Sequence, residues 1–147
     1  MPAGLAVING FGKSAGLVQL AELGQIETPI ALTNTFGVPA VAQAQIAECI
    51  AANPECGRSQ PTVNALVLEC NDGYLSDIQR MAVTADHYRL AVQSAAYGVA
   101  QGAVGAGRGM SCFQLKGGIG TASRVVDIAD RYYTVGALVQ ANMGKLA

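Results

Sequence analysis

The stretch "VNALVLECNDG", residues 63 to 73, constrains the fold more than any other part of the chain. From Val63 to Leu68 the residues are apolar at nearly every position, and the run stops abruptly at Glu69. A strand that faces solvent on one side alternates apolar with polar residues. A near-continuous run is the pattern of a strand covered on both faces, as in a parallel sheet with helices packed on it. The neighbouring segments supply suitable partners. "IETPIALTN", residues 26 to 34, reads as a β-branched, apolar strand, with Pro29 marking an edge or a bulge. Between the two lies a predicted helix from Val38 to Ala52, with Ala42, Ile46, Cys49 and Ile50 at helical spacing and Asn53-Pro54 as its stop.

The same reading extends outward. Leu5 to Asn9 is expected to be a short strand. Ser14 is placed to cap a helix running to Leu23, with Gly24 ending it. Thr84 is placed to cap another, with Tyr88, Ala91, Val92 and Ala95 as its stripe and Gly98 at its exit. Residues 110 to 128 look like a hairpin around Gly117-Gly118, and residues 132 to 142 like a last strand on which Leu138, Gln140 and Asn142 share a face. Helices alternate with strands first, and strands close the chain. That order predicts an α/β fold, a layered sandwich, within a single domain over residues 1 to 147.

Composition narrows the function classes. Charged residues make up 13% of the chain, against a typical ~25%. Hydrophobic residues reach 51%. So sparse a charge implies a surface covered by other chains or further segments. The net charge of −1 carries no footprint for nucleic acid or an acidic membrane. No apolar stretch approaches spanning length, and the amino terminus lacks the pattern of a secretory signal. A cytoplasmic location is expected, with the periplasm also open. Cys49, Cys56, Cys70 and Cys112 form no C-x-x-C pair and have only His87 for company, so no metal is expected. Buried reduced thiols are the expected state, Cys49 and Cys56 being near enough in sequence to bridge.

Several motifs invite a chemical reading and fail it. The glycines of "GAVGAGRGMSC", residues 102 to 112, are preceded by a helix and followed by a strand, the reverse of a phosphate-binding loop. They fit a tight connection that another backbone or a ligand approaches closely. His87 has no spaced nucleophile or orienting partner and is expected at the surface or in a helix cap. Gly120-Thr121 and Gly109-Met110-Ser111 resemble self-cleavage points only superficially, since both fall inside predicted strand pairing. Glu69 is different. A carboxylate ending a buried strand needs either a local cation or turn amides, or the ammonium group of a ligand; the residues alone leave these readings equal. Asn142 likewise either terminates its strand or presents an N–H to a developing oxyanion.

Four stretches tip that balance. "NGFGKSAGLVQLAELGQIETPIALTNT" (9 to 35), "ECNDGYLSDI" (69 to 78), "GAVGAGRGMSCFQLKGGIGTASRVV" (102 to 126) and "YTVGALVQANMG" (133 to 144) resemble, in order and spacing, the L-aminopeptidase/D-esterase family. The resemblance implies a four-layer αββα sandwich, here incomplete. It also implies a precursor that cuts itself into α and β chains and uses the new amino-terminal Ser or Thr as nucleophile. On matching positions, Glu69 corresponds to the acidic anchor for the substrate amine and Asn142 to the oxyanion amide. Asn71 stands where some members carry a substrate-contacting Tyr, and Gly105, Gly107 and Gly109 would line the approach. The family's nucleophile lies beyond the equivalent of Ala147, so the chain is expected to be part of an α chain that works with a nucleophile-bearing segment. The implied partners are a peptide or an amino-acyl amide or ester, and further copies in a homo-oligomer; no cofactor is implied. Two other readings stand beside it: a non-catalytic scaffold with the same fold, and an acyltransferase that passes the acyl group to an amine.

Overall fold

The computed structural model describes residues 1 to 145; Leu146 and Ala147 lie outside the described residues. Packing divides the chain into two compact units, one of Met1–Asn71 with Asp77–Ser94, the other of Asp72–Ser76 with Ala95–Ala147.

The first unit is built on the apolar run. Strand β1 is Ala31–Asn34, helix α2 is Val38–Ala52 and strand β2 is Val67–Cys70, preceded by the short helix α1, Leu17–Leu23. β1 and β2 pair in parallel, Thr33 opposite Glu69, with α2 as the crossover. On its other edge β2 is bonded at Val67 to Ala15 through both backbone N–H···O bonds, 2.9 and 3.2 Å. Val67 is therefore central and fully buried, and it packs with Val38, Val41, Ala44 and Tyr88. Tyr88 comes from α3, Ala85–Gln93. His87 closes that helix's first turn, its Nδ1 accepting the Thr84 N–H at 3.1 Å, which is the capping role expected of it.

Four local expectations are corrected. Residues 5 to 9 form no strand; Val7 and Ile8 are exposed and nothing pairs with them among the described residues. Ser14 does not cap α1, because the chain first pairs with β2 at Ala15 and then turns through Gly16 at φ 85°. The inner face of α2 is Val38, Val41, Ala44 and Gln45, whereas Ile46 and Ile50 are exposed. That helix is apolar almost all round, so spacing selects no face. Its buried glutamine reads as an outward residue, but its Nε2 donates to the Pro29 and Leu66 carbonyls at 2.7 and 3.4 Å. In α3 only Tyr88 of the predicted stripe is buried, and the helix ends at Gln93, before Ala95 and Gly98.

The second unit is a β structure. β3, Ser111–Cys112, pairs with β4, Leu115–Lys116; β5, Gly118–Ile128, pairs along its length with β6, Arg131–Ala141. The first hairpin turns at Phe113-Gln114, not at Gly117-Gly118. Both turn residues take positive φ, 51° and 64°, the sense that matches strand twist. The two glycines do other work: a Cβ on Gly117 would lie 2.2 Å from the Ala141 carbonyl oxygen, and one on Gly118 2.3 Å from that of Gly102. In the long hairpin the cross-strand register puts Leu138 and Gln140 on one face, as expected. It puts Val126, Ile128, Tyr133 and Val135 on the other.

All four cysteines are half-buried rather than buried. Burial first, then Cys56, Glu27 and Glu48, push the Cys49 thiol up, which disfavours its thiolate. Among the described residues no helix is long and apolar enough to cross a membrane.

A Cβ on Gly16 would stand 2.2 Å from the Ala65 carbonyl oxygen at a left-handed φ. Gly16→Ala is expected to destabilise the first unit by about 2 kcal/mol or more, read as a lower urea midpoint with unchanged slope.

Candidate functional site

Glu69 is the third residue of β2, at the carboxyl ends of the parallel pair, where open α/β sheets place their ligands. The strand fixes its backbone and two neighbours fix its carboxylate. Oε1 accepts the Lys13 backbone N–H at 2.7 Å, and Oε2 accepts the Thr35 hydroxyl in a short hydrogen bond. The Lys13 amide reaches it because the Ala15–Val67 bonds bring residues 9 to 13 alongside the end of β2. Thr35 reaches it because β1 passes directly into a one-turn 3-10 helix, Thr35–Gly37, and then into α2. Asn34 Oδ1 accepts the Gly37 N–H at 2.8 Å and fixes that transition. The amino end of α2 thus follows the carboxylate's hydroxyl donor, and its partial positive charge favours an anion there.

Both donors are neutral. The ion pairs among the described residues join Arg89 to Glu48 and to Asp86, on α2 and α3. Glu69 is only partly exposed, and no cation of the chain is paired with it among the described residues. The carboxylate's donors are thus a loop amide and a hydroxyl from elements distant in sequence, not a cation among the described residues. The arrangement fixes the position of a carboxylate that no cation of the chain pairs with among the described residues. Asn71 follows two residues later and is exposed at the end of the same strand.

In the second unit Asn142 directly follows β6 and is half-buried. Its Oδ1 accepts the Ser111 N–H at 3.0 Å, and the next residue's carbonyl, Met143 O, accepts the Phe113 N–H at 2.8 Å. The acceptor end of the amide is committed to the first hairpin, which orients the N–H end away from Ser111. That hairpin is anchored by Lys116, whose ammonium donates to the carbonyls of Gly107, Gly117 and Met110 at 2.8, 2.8 and 3.2 Å. Gly107 is buried; a Cβ there would lie 2.7 Å from Gly102 O and 2.8 Å from the Ile119 nitrogen, so backbone fills the space beside it. Gly109 packs on Asp72 and Ser76. Gly105 is exposed at φ 47°, with open space where a side chain would begin. Glu69 and Asn71 therefore belong to the first unit, and Asn142, Gly105 and Gly107 to the second.

Sequence reasoning missed Thr35, the Lys13 amide and Lys116. Thr35 had a signal, a hydroxyl where a strand meets a helix. Lys116 had one too, a cation set directly before Gly117-Gly118 in an otherwise apolar run. The Lys13 contribution is a backbone group and leaves none.

Removing the Thr35 hydroxyl leaves a partly buried carboxylate oxygen short of a donor. Thr35→Val is expected to lower unfolding free energy by about 1.5–3 kcal/mol, whereas Thr35→Ser stays close to the parent, in equilibrium urea denaturation.

Known proteins resemble this chain over nearly its whole length. The family model for peptidase family S58 matches residues 1–147. The β-peptidyl aminopeptidase BapA of Sphingosinicella xenopeptidilytica is 44% identical over 146 residues, covering 97% of this chain and 35% of that protein. BapA of Sphingosinicella microcystinivorans is 42% identical over 143 residues, with the same coverage. The chain thus spans about a third of the length of these curated relatives. Among solved structures, the PH0078 protein of Pyrococcus horikoshii OT3 superposes with a TM-score of 0.95 at 49% identity, covering 98% of this chain and 41% of that one. A β-aminopeptidase from a Burkholderia species gives 0.92 at 45%, covering 98% and 40%. The L-aminopeptidase D-Ala-esterase/amidase of Ochrobactrum anthropi, described as a new variant among the Ntn hydrolase fold, gives 0.92 at 36%, with the same coverage. The α/β fold expected from the sequence is the one these proteins share.

Proposed function

Because the chain belongs to peptidase family S58, we propose that it forms the substrate-anchoring and oxyanion-stabilising part of an aminopeptidase. The enzyme removes amino-terminal residues from peptides, amides or esters. The observation that carries this reading is the Glu69 carboxylate, held by the Lys13 amide and the Thr35 hydroxyl with no cation of the chain paired to it among the described residues. A charge so held receives the substrate's free ammonium group, and that contact fixes which peptide bond is presented.

The nucleophile in this reading is a Ser or Thr hydroxyl at a newly made amino terminus, supplied by a segment outside residues 1 to 147. Its oxygen attacks the scissile carbonyl and its proton passes to the neighbouring α-amine. The carbonyl π electrons move to oxygen, and Asn142 donates its amide N–H to that oxyanion. Collapse expels the leaving amine or alcohol with the transferred proton and leaves an ester. Water repeats the sequence and releases the acid. Ser111 supports this role for Asn142, because its N–H occupies the amide's oxygen and so selects nitrogen as the donor. Asn71, exposed beside Glu69, touches the substrate in this reading, and Gly105 and Gly107 shape the approach. No cofactor takes part. The nucleophile-bearing segment and further copies of the chain cover the exposed apolar faces, including Val135 and Tyr132 of the long hairpin.

The test is steady-state kinetics on the enzyme with its nucleophile segment present. Asn142→Ala is expected to lower kcat about 10²–10³-fold with little change in KM. Asn142→Asp keeps an acceptor for Ser111 yet loses the donor, so it should fold normally and be similarly slow. Glu69→Gln should raise KM for free-amine substrates and spare N-acylated ones. Rates indifferent to both positions would remove the assignment.

A further inference from the structure

Lys13 presents a puzzle that the proposed function does not absorb. Its backbone amide is bonded to Glu69 Oε1 at 2.7 Å, so its side chain starts beside the one carboxylate that the reading needs unneutralised. The loop backbone lies against that carboxylate as well: a Cβ on Gly12 would meet Glu69 Oε1 at 3.4 Å. Four methylenes give the ammonium ample reach to turn back and pair with it. It goes elsewhere. Lys13 Nζ donates to the Phe11 carbonyl at 2.7 Å and stands 4.1 Å from the centroid of the Phe11 ring. Phe11 is itself held, its N–H donating to Asn9 Oδ1 at 3.3 Å, while its ring is 84% exposed and contributes little to any core. An exposed phenyl ring on a tight loop, with the neighbouring cation on its face, has a plain electrostatic use.

We propose that Phe11 is a positioning residue: it holds the Lys13 ammonium away from Glu69 and so keeps that carboxylate open to a cationic substrate amine. The proposal rests on the reading of Glu69 as the ammonium anchor. Without the ring, the Phe11 carbonyl alone competes for the lysine, and a carboxylate is the stronger acceptor. Lys13 then occupies the place of the substrate amine as an internal competitor. The loop Asn9–Lys13 thereby sets the affinity for free amines without touching the scissile bond.

The experiment has two readouts. Zero-length carbodiimide coupling, followed by peptide mapping, reports whether the Lys13 amine and the Glu69 carboxylate meet. The 147-residue chain is expected to give no Lys13–Glu69 isopeptide, whereas Phe11→Ala and Phe11→Leu give it and Phe11→Tyr does not. In the enzyme with its nucleophile segment, Phe11→Ala should raise KM for β-alanyl amides about two- to fivefold at unchanged kcat, the scale of an exposed ion pair. Phe11→Ala/Lys13→Met should return KM to the parent value, which no merely structural role of the ring predicts. Equal coupling with and without the ring, a KM that does not move, or a double variant that fails to recover overturns the proposal. If Glu69→Gln raises KM while those outcomes occur, the anchor stands and only this inference falls. If Glu69→Gln leaves KM unchanged, the anchor falls and this inference with it.

Discussion

The hydrogen bonding of β2 is the constraint from which the rest of the first unit follows. The segment is bonded to Ala31 of β1 through the Leu66 carbonyl and to Ala15 through both backbone groups of Val67, whose side chain is wholly buried. At Val67 the backbone is paired on that second edge as well, and the pairing fixes the register of the segments laid beside it. The parallel pairing sets Glu69 level with Thr33 and one step from the turn that bears Thr35. The Ala15 pairing delivers the Lys13 amide. The carboxylate cradle is a by-product of strand register rather than of any motif local to Glu69.

In the second unit the governing constraint is closeness of backbones. Gly107, Gly117 and Gly118 each sit where a side chain would strike a carbonyl or an amide. Lys116 draws three carbonyl oxygens to one ammonium, which satisfies groups that such crowding removes from water. Asn142 is tied to that packing by the Ser111 N–H, which its Oδ1 accepts.

What the sequence made legible was whatever depends on period or punctuation. The bounds of α2, the Gly24 stop of α1, the Thr84 cap with His87 beside it, and the switch from alternating helices and strands to strands alone all carry local signals. The inward face of α2 was hidden because a helix apolar on every side has no preferred direction and because Gln45 is buried through partners on other elements. The turn at Phe113-Gln114 was hidden because neither residue is a usual choice for positive φ, while two glycines nearby are. Glu69 and Asn142 stood out as polar residues ending apolar strands, and the resemblance favoured a role in binding; which groups bond to them, 56, 34 and 31 residues away in sequence, no local pattern specifies.

Those separations bear on how the site comes into being. The long hairpin joins β5 to β6 through contacts close in sequence, which close quickly and at little entropic expense. The Glu69 cradle instead unites three points distant in sequence, and closing it carries a larger loop-entropy cost. The Lys13 amide, whose proton is held by that carboxylate, is the natural reporter of its opening in hydrogen exchange.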